Sequence, residues 1–289
     1  MVSIKKDITV LSGEAFLRAP VTDTSIDLEI YGASEVFSAV KSKLLKLYGG
    51  DVLVVADGRK ATLSEVERCD VIEVSAQPDF RKNRYNAADV LRVIDRLTRD
   101  DGCPWDRVQT HDSIRINMIE EAYEAVDAID KRDVANMREE FGDVLLQSVL
   151  QSDISRRSGE FDFDDVCDEL CKKLIGRHTF IFGGDSAENA DDALTLWEKA
   201  KAVEKNYDSV KTQLGKLPET FPSLLLLQKI HKKLKKSGAA CDDENTLAAA
   251  VGDKDYARAI AACVALLSDG GADAEAELNS FAKKKIADL

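Results

Sequence analysis

The stretch that decides the fold is Ile119–Gln147, IEEAYEAVDAIDKRDVANMREEFGDVLLQ. Apolar residues recur every three or four positions on both sides of its middle. Ile116 (just upstream), Ile119, Tyr123 and Val126 form one stripe, and Met137, Phe141, Val144 and Leu145 form a second, the spacing of one face of an α-helix. The polar Lys131–Asp133 between them is short enough to reverse the chain. Two antiparallel helices are therefore expected, packed through those two stripes.

The same runs carry Glu120, Glu121 and Glu124, then Glu139, Glu140 and Asp143. Positions three and four apart share a helix face, so Glu121 converges with Glu124, Glu120 stacks on Glu124, and Glu140 converges with Asp143. A hairpin then aims four or five carboxylates at one point. Like charges so close raise one another's pKa unless a multivalent cation neutralises them. Oxygen-only donors favour a hard ion, magnesium or manganese, over zinc. The set can hold one ion or two. Taken alone, the pattern also describes a solvated acidic helix paired with Lys and Arg elsewhere.

Outward from the hairpin, residues 86–205 are helical almost throughout. AADVLRVIDRLTRD (87–100) precedes a Gly-Cys-Pro-Trp break, the long runs cover 112–130 and 133–157, and further helices are expected at Phe163–Arg177 and Ala190–Lys205. Residues 1–77 differ. There a helical stretch, ASEVFSAVKSKLLKLYGG (33–50), is followed by the alternating DVLVVADGRKATL, whose Asp57-Gly58 reads as a hairpin turn. This small α/β segment ends near Gln77-Pro78, and the charged run Asp79 to Arg84 marks a linker. After Leu217, Pro218 and Pro222 lead into LLLLQKIHKKLKK (224–236), a helix with a basic face, and a further helical pair follows CDDEN, ending in FAKKKIADL. The fold class is mainly α, with domains expected at 1–77, 86–205 and 217–289.

Composition narrows the function. At 289 residues and 44% hydrophobic, the chain can bury a sizeable core. A formal net charge of -13 opposes a nucleic-acid surface and makes a phosphate ligand dependent on a cation. The basic face of 224–236 reads as solvated. No apolar run reaches the roughly 18 residues a membrane span needs, and the start MVSIKKDITV has no signal-peptide core, so no membrane partner is expected and the cytoplasm is the default location. The six cysteines read as reduced thiols. Cys167 and Cys171, near His178, lack both a fourth ligand and a CxxC pair for zinc.

From about Leu91 to Lys205 the chain resembles the MazG family of nucleotide pyrophosphohydrolases. The residues that carry the resemblance are GCPWDRVQTH (Gly102–His111), EEAYEAVDAID (Glu120–Asp130), EEFGDVLLQ (Glu139–Gln147), FDFDDV (Phe161–Val166), KLIGRHTFIFG (Lys173–Gly183) and LWEKAKAVEK (Leu196–Lys205). It implies an all-α bundle that hydrolyses nucleoside triphosphates, ribo or deoxy, to monophosphate and pyrophosphate by attack at the α-phosphorus. It implies magnesium, with manganese as a substitute, on Glu121, Glu124, Glu140 and Asp143, and a water-orienting role for Glu120. Lys173, Arg177, Trp197 and Lys201 would hold phosphates and base, and the active form would be a homodimer with its site near the subunit interface. The chemistry is coherent, since cations offset triphosphate charge, an indole offers a stacking face and metal-bound carboxylates orient a water. One departure stands in RHTFIF, where the family usually reads RHPHVF. Thr179 and Phe180 replace a proline and a histidine there, which implies altered loop geometry around the retained Arg177 and His178.

Two flanking resemblances are weaker. ASEVFSAVKSKLLKLYGGDVLVV and TLSEVERCD are similar to the tail of a tetrapyrrole-methylase-like domain. The segment is too short for a complete methylase and has no glycine-rich cofactor loop, so a docking or dimerisation remnant is expected. LPETFPSLLLLQKIHKKLKKSG and ACVALLSDGGADAEAELNSFAKKKI resemble the entry and exit of a second MazG copy. Its expected register puts Asp255 and Arg258 where ExxD should stand, and NTLAAAVGD holds no EExxE, so this copy reads as a structural or regulatory scaffold. The rival to an enzyme is a non-catalytic nucleotide sensor or interaction scaffold. The degenerate copy suggests that rival, and the intact carboxylate set opposes it.

Overall fold

In the computed structural model, residues 8–20, 22–77, 80, 82–207 and 209–288 are described. The linker residues Pro78 and Asp79, the first seven residues and Leu289 lie outside them. The chain divides into two units, Met1–Glu169 and Leu170–Leu289.

The first unit opens with a five-stranded sheet of β1 (Ile8–Ser12), β2 (Asp27–Tyr31), β3 (Leu53–Ala56), β4 (Arg59–Thr62) and β5 (Ile72–Val74), in the order β1-β2-β5-β3-β4. β1 and β2 run parallel and the other pairs antiparallel. The Asp57-Gly58 turn forms as read from the sequence, with both residues at positive φ (47° and 77°). The Asp57 carboxylate accepts backbone N–H bonds from Asp70 (3.0 Å) and Val71 (2.8 Å), which ties the turn to the entry of β5. Two helices, α1 (Gly13–Arg18) and α2 (Phe37–Tyr48), bury Phe16, Val40 and Leu44 with Leu28, Ile30 and Ile72 of the sheet in one core.

A polar seam joins this sheet to α3 (Ala87–Thr98). Asn86 caps the helix, accepting from the N–H groups of Ala88 and Asp89, and its own amide donates to the Thr22 carbonyl at 2.7 Å. The Asp89 carboxylate, inside the seam, meets Lys82 at 2.6 Å and Arg92 at 2.8 Å, and Arg92 reaches on to Asp23 at 2.6 Å.

The decisive stretch forms α4 (Asn117–Asp130) and α5 (Val134–Ser158), a helical hairpin turned at Arg132 (φ 55°) and capped by Asp133 on the N–H groups of Ala135 and Asn136. α3 packs on α5 through Ile94, Val149 and Leu150, with Ile114 beside them. The stripes expected to seal the hairpin do not seal it. Ile119, Tyr123, Val126 and Phe141 are 49%, 61%, 52% and 51% exposed. The buried residues of α4 are instead Ala125 and Ala128, whose small side chains let the two backbones approach closely enough to leave the bulkier residues outside.

The second unit takes over within α6 (Phe163–Arg177) and continues with α7 (Thr179–Phe182), α8 (Ala190–Glu204), α9 (Val210–Leu214), α10 (Ser223–Lys236), α11 (Glu244–Gly252), α12 (Tyr256–Asp269) and α13 (Ala274–Ala287). The fold is mainly α with a small N-terminal sheet, as expected. No helix among the described residues is long and apolar enough to cross a membrane. The pair expected after CDDEN is three helices, separated at Lys254 (φ 59°) and Gly271 (φ 79°).

The α11–α12 turn repeats that of α4–α5. In each, a residue at positive φ precedes an aspartate that caps the next helix, and the aspartate N–H reaches back to a fully buried alanine, Asp133 to Ala128 at 3.1 Å and Asp255 to Ala250 at 2.9 Å. Alignment on this shared turn gives a register different from the one read from sequence. Asp255 matches Asp133, so Glu140 and Asp143 correspond to Ala262 and Ala265, which are 0% and 2% exposed. Where the first hairpin carries ExxD, the second carries packing alanines. Gln228 donates to the Ala272 carbonyl (2.7 Å) and His231 pairs with Asp269 (2.7 Å), fastening α10 to the end of α12.

Candidate active site

The α4–α5 turn sets the helices so that Glu121, Glu140 and Asp143 meet. One carboxylate oxygen from each lies within 4.8 Å of the others, and all three side chains are half-buried. Burial raises the Glu121 carboxyl above its ordinary range, and the charges of Asp143, Glu124 and Glu140 push the same way. Burial, Glu124, Asp143 and Glu139 likewise raise Glu140. The charged neighbours that shift these two groups most, Asp143, Glu124, Glu140 and Glu139, are themselves carboxylates, the reverse of an acidic helix neutralised by Lys and Arg. Of the remaining predicted residues, Glu124 contributes to the field from an exposed position one turn beyond Glu121, while Glu120, next to Glu121 in the chain, is exposed and outside the cluster. Among the described residues this is the only group of three or more His, Cys, Asp or Glu side chains brought so close. Its donors are all oxygens, the set that a hard divalent cation such as magnesium selects. Cys167 is half-buried and Cys171 exposed on α6.

The predicted cations and indole lie in the second unit. Trp197 and Lys201 share a face of α8, with the Lys201 ammonium 4.8 Å from the indole centroid. The Arg177 guanidinium, at the end of α6, lies 5.0 Å from the same ring. Lys173, one turn before Arg177, is exposed. Sequence reasoning missed Glu204, which takes Arg177 in a bidentate grip (2.7 and 3.0 Å). Those hydrogen bonds draw the Glu204 carboxyl down to about 2. A local cue existed, because Trp197, Lys201 and Glu204 fall at i, i+4 and i+7 on one helix face. In the departing RHTFIF segment, Thr179–Phe182 forms the single turn α7, and the Phe180 ring lies 5.6 Å from that of His178.

A second group also escaped the sequence. His111 sets one ring nitrogen 3.1 Å from the buried Ser155 hydroxyl and the other against the Gln151 side chain, both on α5. This clamp holds the segment that delivers α4. No spacing rule links residues so far apart in the chain, and only the fold brings them together.

Residues 109–182 match the family described as the MazG nucleotide pyrophosphohydrolase domain. The chain is 38% identical over 150 residues to a nucleoside triphosphate pyrophosphohydrolase of Escherichia coli, covering 51% of this chain and 57% of that protein. It is 36% identical over 198 residues to a nucleoside triphosphate pyrophosphohydrolase of Mycobacterium tuberculosis, covering 62% and 58%. The crystal structure of a mazG-related protein from Thermotoga maritima aligns with 40% of the chain and 98% of its own length, at 24% identity and a TM-score of 0.36. The chain thus spans a little over half the length of these two curated relatives.

Proposed function

We propose, for a chain whose residues 109–182 belong to the MazG nucleotide pyrophosphohydrolase domain family, that the α4–α5 hairpin is the active site of a nucleoside triphosphate pyrophosphohydrolase. The observation that carries this reading is the convergence of Glu121, Glu140 and Asp143, whose carboxyls the charges of neighbouring carboxylates raise further. Mutual repulsion of this kind is offset when a divalent cation enters, so the residues fit a metal-dependent reaction with magnesium as the resident ion and manganese as its substitute. Glu121, Glu140 and Asp143 would hold the ion, with Glu124, one turn beyond Glu121, as the fourth ligand. When bound there, the ion supplies charge stabilisation to phosphate oxygens and acidity to a water.

The chain's own groups divide the remaining work. Glu120, exposed and adjacent to Glu121 in the chain, orients the attacking water and accepts its proton. Trp197 offers an aromatic face to the base, while Lys173, Lys201 and the donors of Arg177 that Glu204 leaves free hold the phosphate chain. The products are nucleoside monophosphate and pyrophosphate. The net charge of -13 favours free nucleotides, ribo or deoxy, over a nucleic-acid strand. We assign the working form as a homodimer in the cytoplasm, since the exposed apolar faces of α4 and α5 flank the carboxylates and call for a second copy.

The test is product analysis with a panel of ribo- and deoxynucleoside triphosphates, with and without magnesium. Monophosphate and pyrophosphate that appear only with the metal, and are lost in Glu140→Gln, are the expected result. Absence of turnover of every nucleotide by the folded protein would instead favour a nucleotide sensor.

A further inference from the structure

A strongly basic concavity lies in the second unit, where α8, α9 and α10 surround a cavity of about 780 Å³. That size is within the roughly 300–1,000 Å³ common for small-molecule sites. Among the described residues, seven lysines line it against one carboxylate, Glu198, in a chain whose net charge is -13. Lys229, Lys233 and Lys236 come from one face of α10 at helical spacing, Lys201 comes from α8, and Lys216 follows α9.

Three of these ammonium groups are held by neutral partners. Lys216 lies 5.0 Å from the Tyr207 ring centroid and donates to the Lys205 carbonyl at 3.2 Å. Lys229 lies 5.6 Å from the Phe221 ring, and Lys233 donates to the Gln213 amide oxygen at 3.2 Å. Rings, a carbonyl and an amide orient a cation but leave its charge uncompensated. Burial holds Lys201 below its ordinary range, and Lys233, Arg177 and Lys229 push the same way against the pull of Glu198. A cavity walled by one sign of charge concentrates the opposite sign within it.

We propose that this cavity binds a small polyphosphate, a chain of linked phosphates presented either free or on a nucleotide. Several converging ammonium groups, each a point-charge donor, match a ligand with several adjacent negative oxygens better than a single carboxylate or sulfate. The rings of Tyr207 and Phe221 give the same cavity apolar walls that a nucleoside can meet. The concave shape and the acidic whole disfavour a nucleic-acid strand passing over it. Lys201 also belongs to the binding group proposed above, so the discriminating residues are those of α10.

The experiment is calorimetric titration of the full chain with inorganic tripolyphosphate and, in parallel, ATP, both in excess EDTA. Chelation removes the cation on which the carboxylate site depends, so this binding and that turnover fail independently. Saturable binding is expected, weakened at least tenfold by Lys233→Glu and by Lys229→Glu and unchanged by Lys284→Glu, an equal charge reversal on an exposed position of α13. Should a reversal unfold the protein, Lys233→Gln is expected to weaken binding several-fold with its melting temperature kept. ATP binding tighter than tripolyphosphate identifies a nucleotide as the ligand, and equal affinity identifies the phosphate chain alone. Lack of saturable binding by either probe, or affinities indifferent to Lys229 and Lys233, overturns the proposal.

Discussion

Glu140 and Asp89 are both acidic and both partly enclosed, yet their surroundings predict opposite outcomes of substitution. Glu140 sits among carboxylates that raise its pKa, so Glu140→Gln relieves repulsion. Thermal melts in EDTA should show a stability equal to or above that of the parent, while nucleotide turnover with magnesium falls at least ~100-fold, the scale on which a lost electrostatic stabiliser acts. Asp89 sits between Lys82 and Arg92. Burial pushes its carboxyl up, but hydrogen bonds from Lys82, the Asn86 backbone and Arg92 outweigh that and hold it below its ordinary 3.8. Asp89→Ala strands the Lys82 ammonium, whose side chain is 1% exposed, and should cost about 3–5 kcal/mol in denaturant unfolding. The sign with pH follows from the depressed pKa. The contribution of Asp89 is fully present above 3.8, the ordinary value, and is lost as pH falls through the lower folded value. The difference in midpoint between parent and Asp89→Ala should therefore be constant near neutrality and shrink only in acid; a gap that closed between neutrality and mild acid would assign it to another group.

At the scale of elements, the helices were legible because period and caps agree. α6 begins and ends where the sequence put it, at Phe163 and Arg177. α4 did not begin where its apolar pattern begins. Residues 112–116 precede it because Thr110 and Ser113 exchange side-chain bonds to each other's N–H groups (2.9 and 3.2 Å) and hold a turn there. The face a helix buries was less legible than its span. Periodicity ranks faces by apolarity, whereas the hairpin turn brought Ala125 and Ala128 to the partner helix and left Tyr123 and Phe141 outside. Within the carboxylate trio, Glu140 and Asp143 were legible through their i, i+3 spacing on α5, whereas the Arg177–Glu204 pair joins two helices, and spacing along α8 marked only the face that carries Glu204. The register that the shared turn gives the second hairpin was not legible for a related reason, since the residues it matches are alanines and carry no chemistry to align. That register can be tested. Ala265→Asp places a carboxylate at a nearly fully buried position without a cation and should destabilise the protein by several kilocalories per mole. Asp143→Ala at the matching place of the first hairpin should leave the melting temperature unchanged or higher. Equal tolerance of both substitutions would mean that the two hairpins do not share this register.

At the scale of the whole molecule, the unexplained quantity is apolar surface. Ile119, Tyr123, Val126 and Ile129 on α4 and Phe141, Val144 and Leu145 on α5 are all exposed, beside the carboxylates they flank in sequence. Scattered apolar residues on a soluble surface need no account, but two adjacent helices that each leave a stripe of them outside form the kind of patch that a partner covers. A second copy of the same hairpin is the simplest cover, since helix faces that pack only small alanines within one chain keep their larger side chains for packing between chains. A stable interface of that kind buries roughly 1,200–2,000 Å² in total. Light scattering behind size-exclusion chromatography should then report a dimer. Tyr123→Glu combined with Phe141→Glu should shift it to a monomer and lower turnover together, because the apolar stripes and the carboxylates occupy the same two helices. A parent that is monomeric at all concentrations, or a double variant that becomes monomeric at full turnover, would separate the carboxylate site from assembly and leave each hairpin catalytically complete by itself.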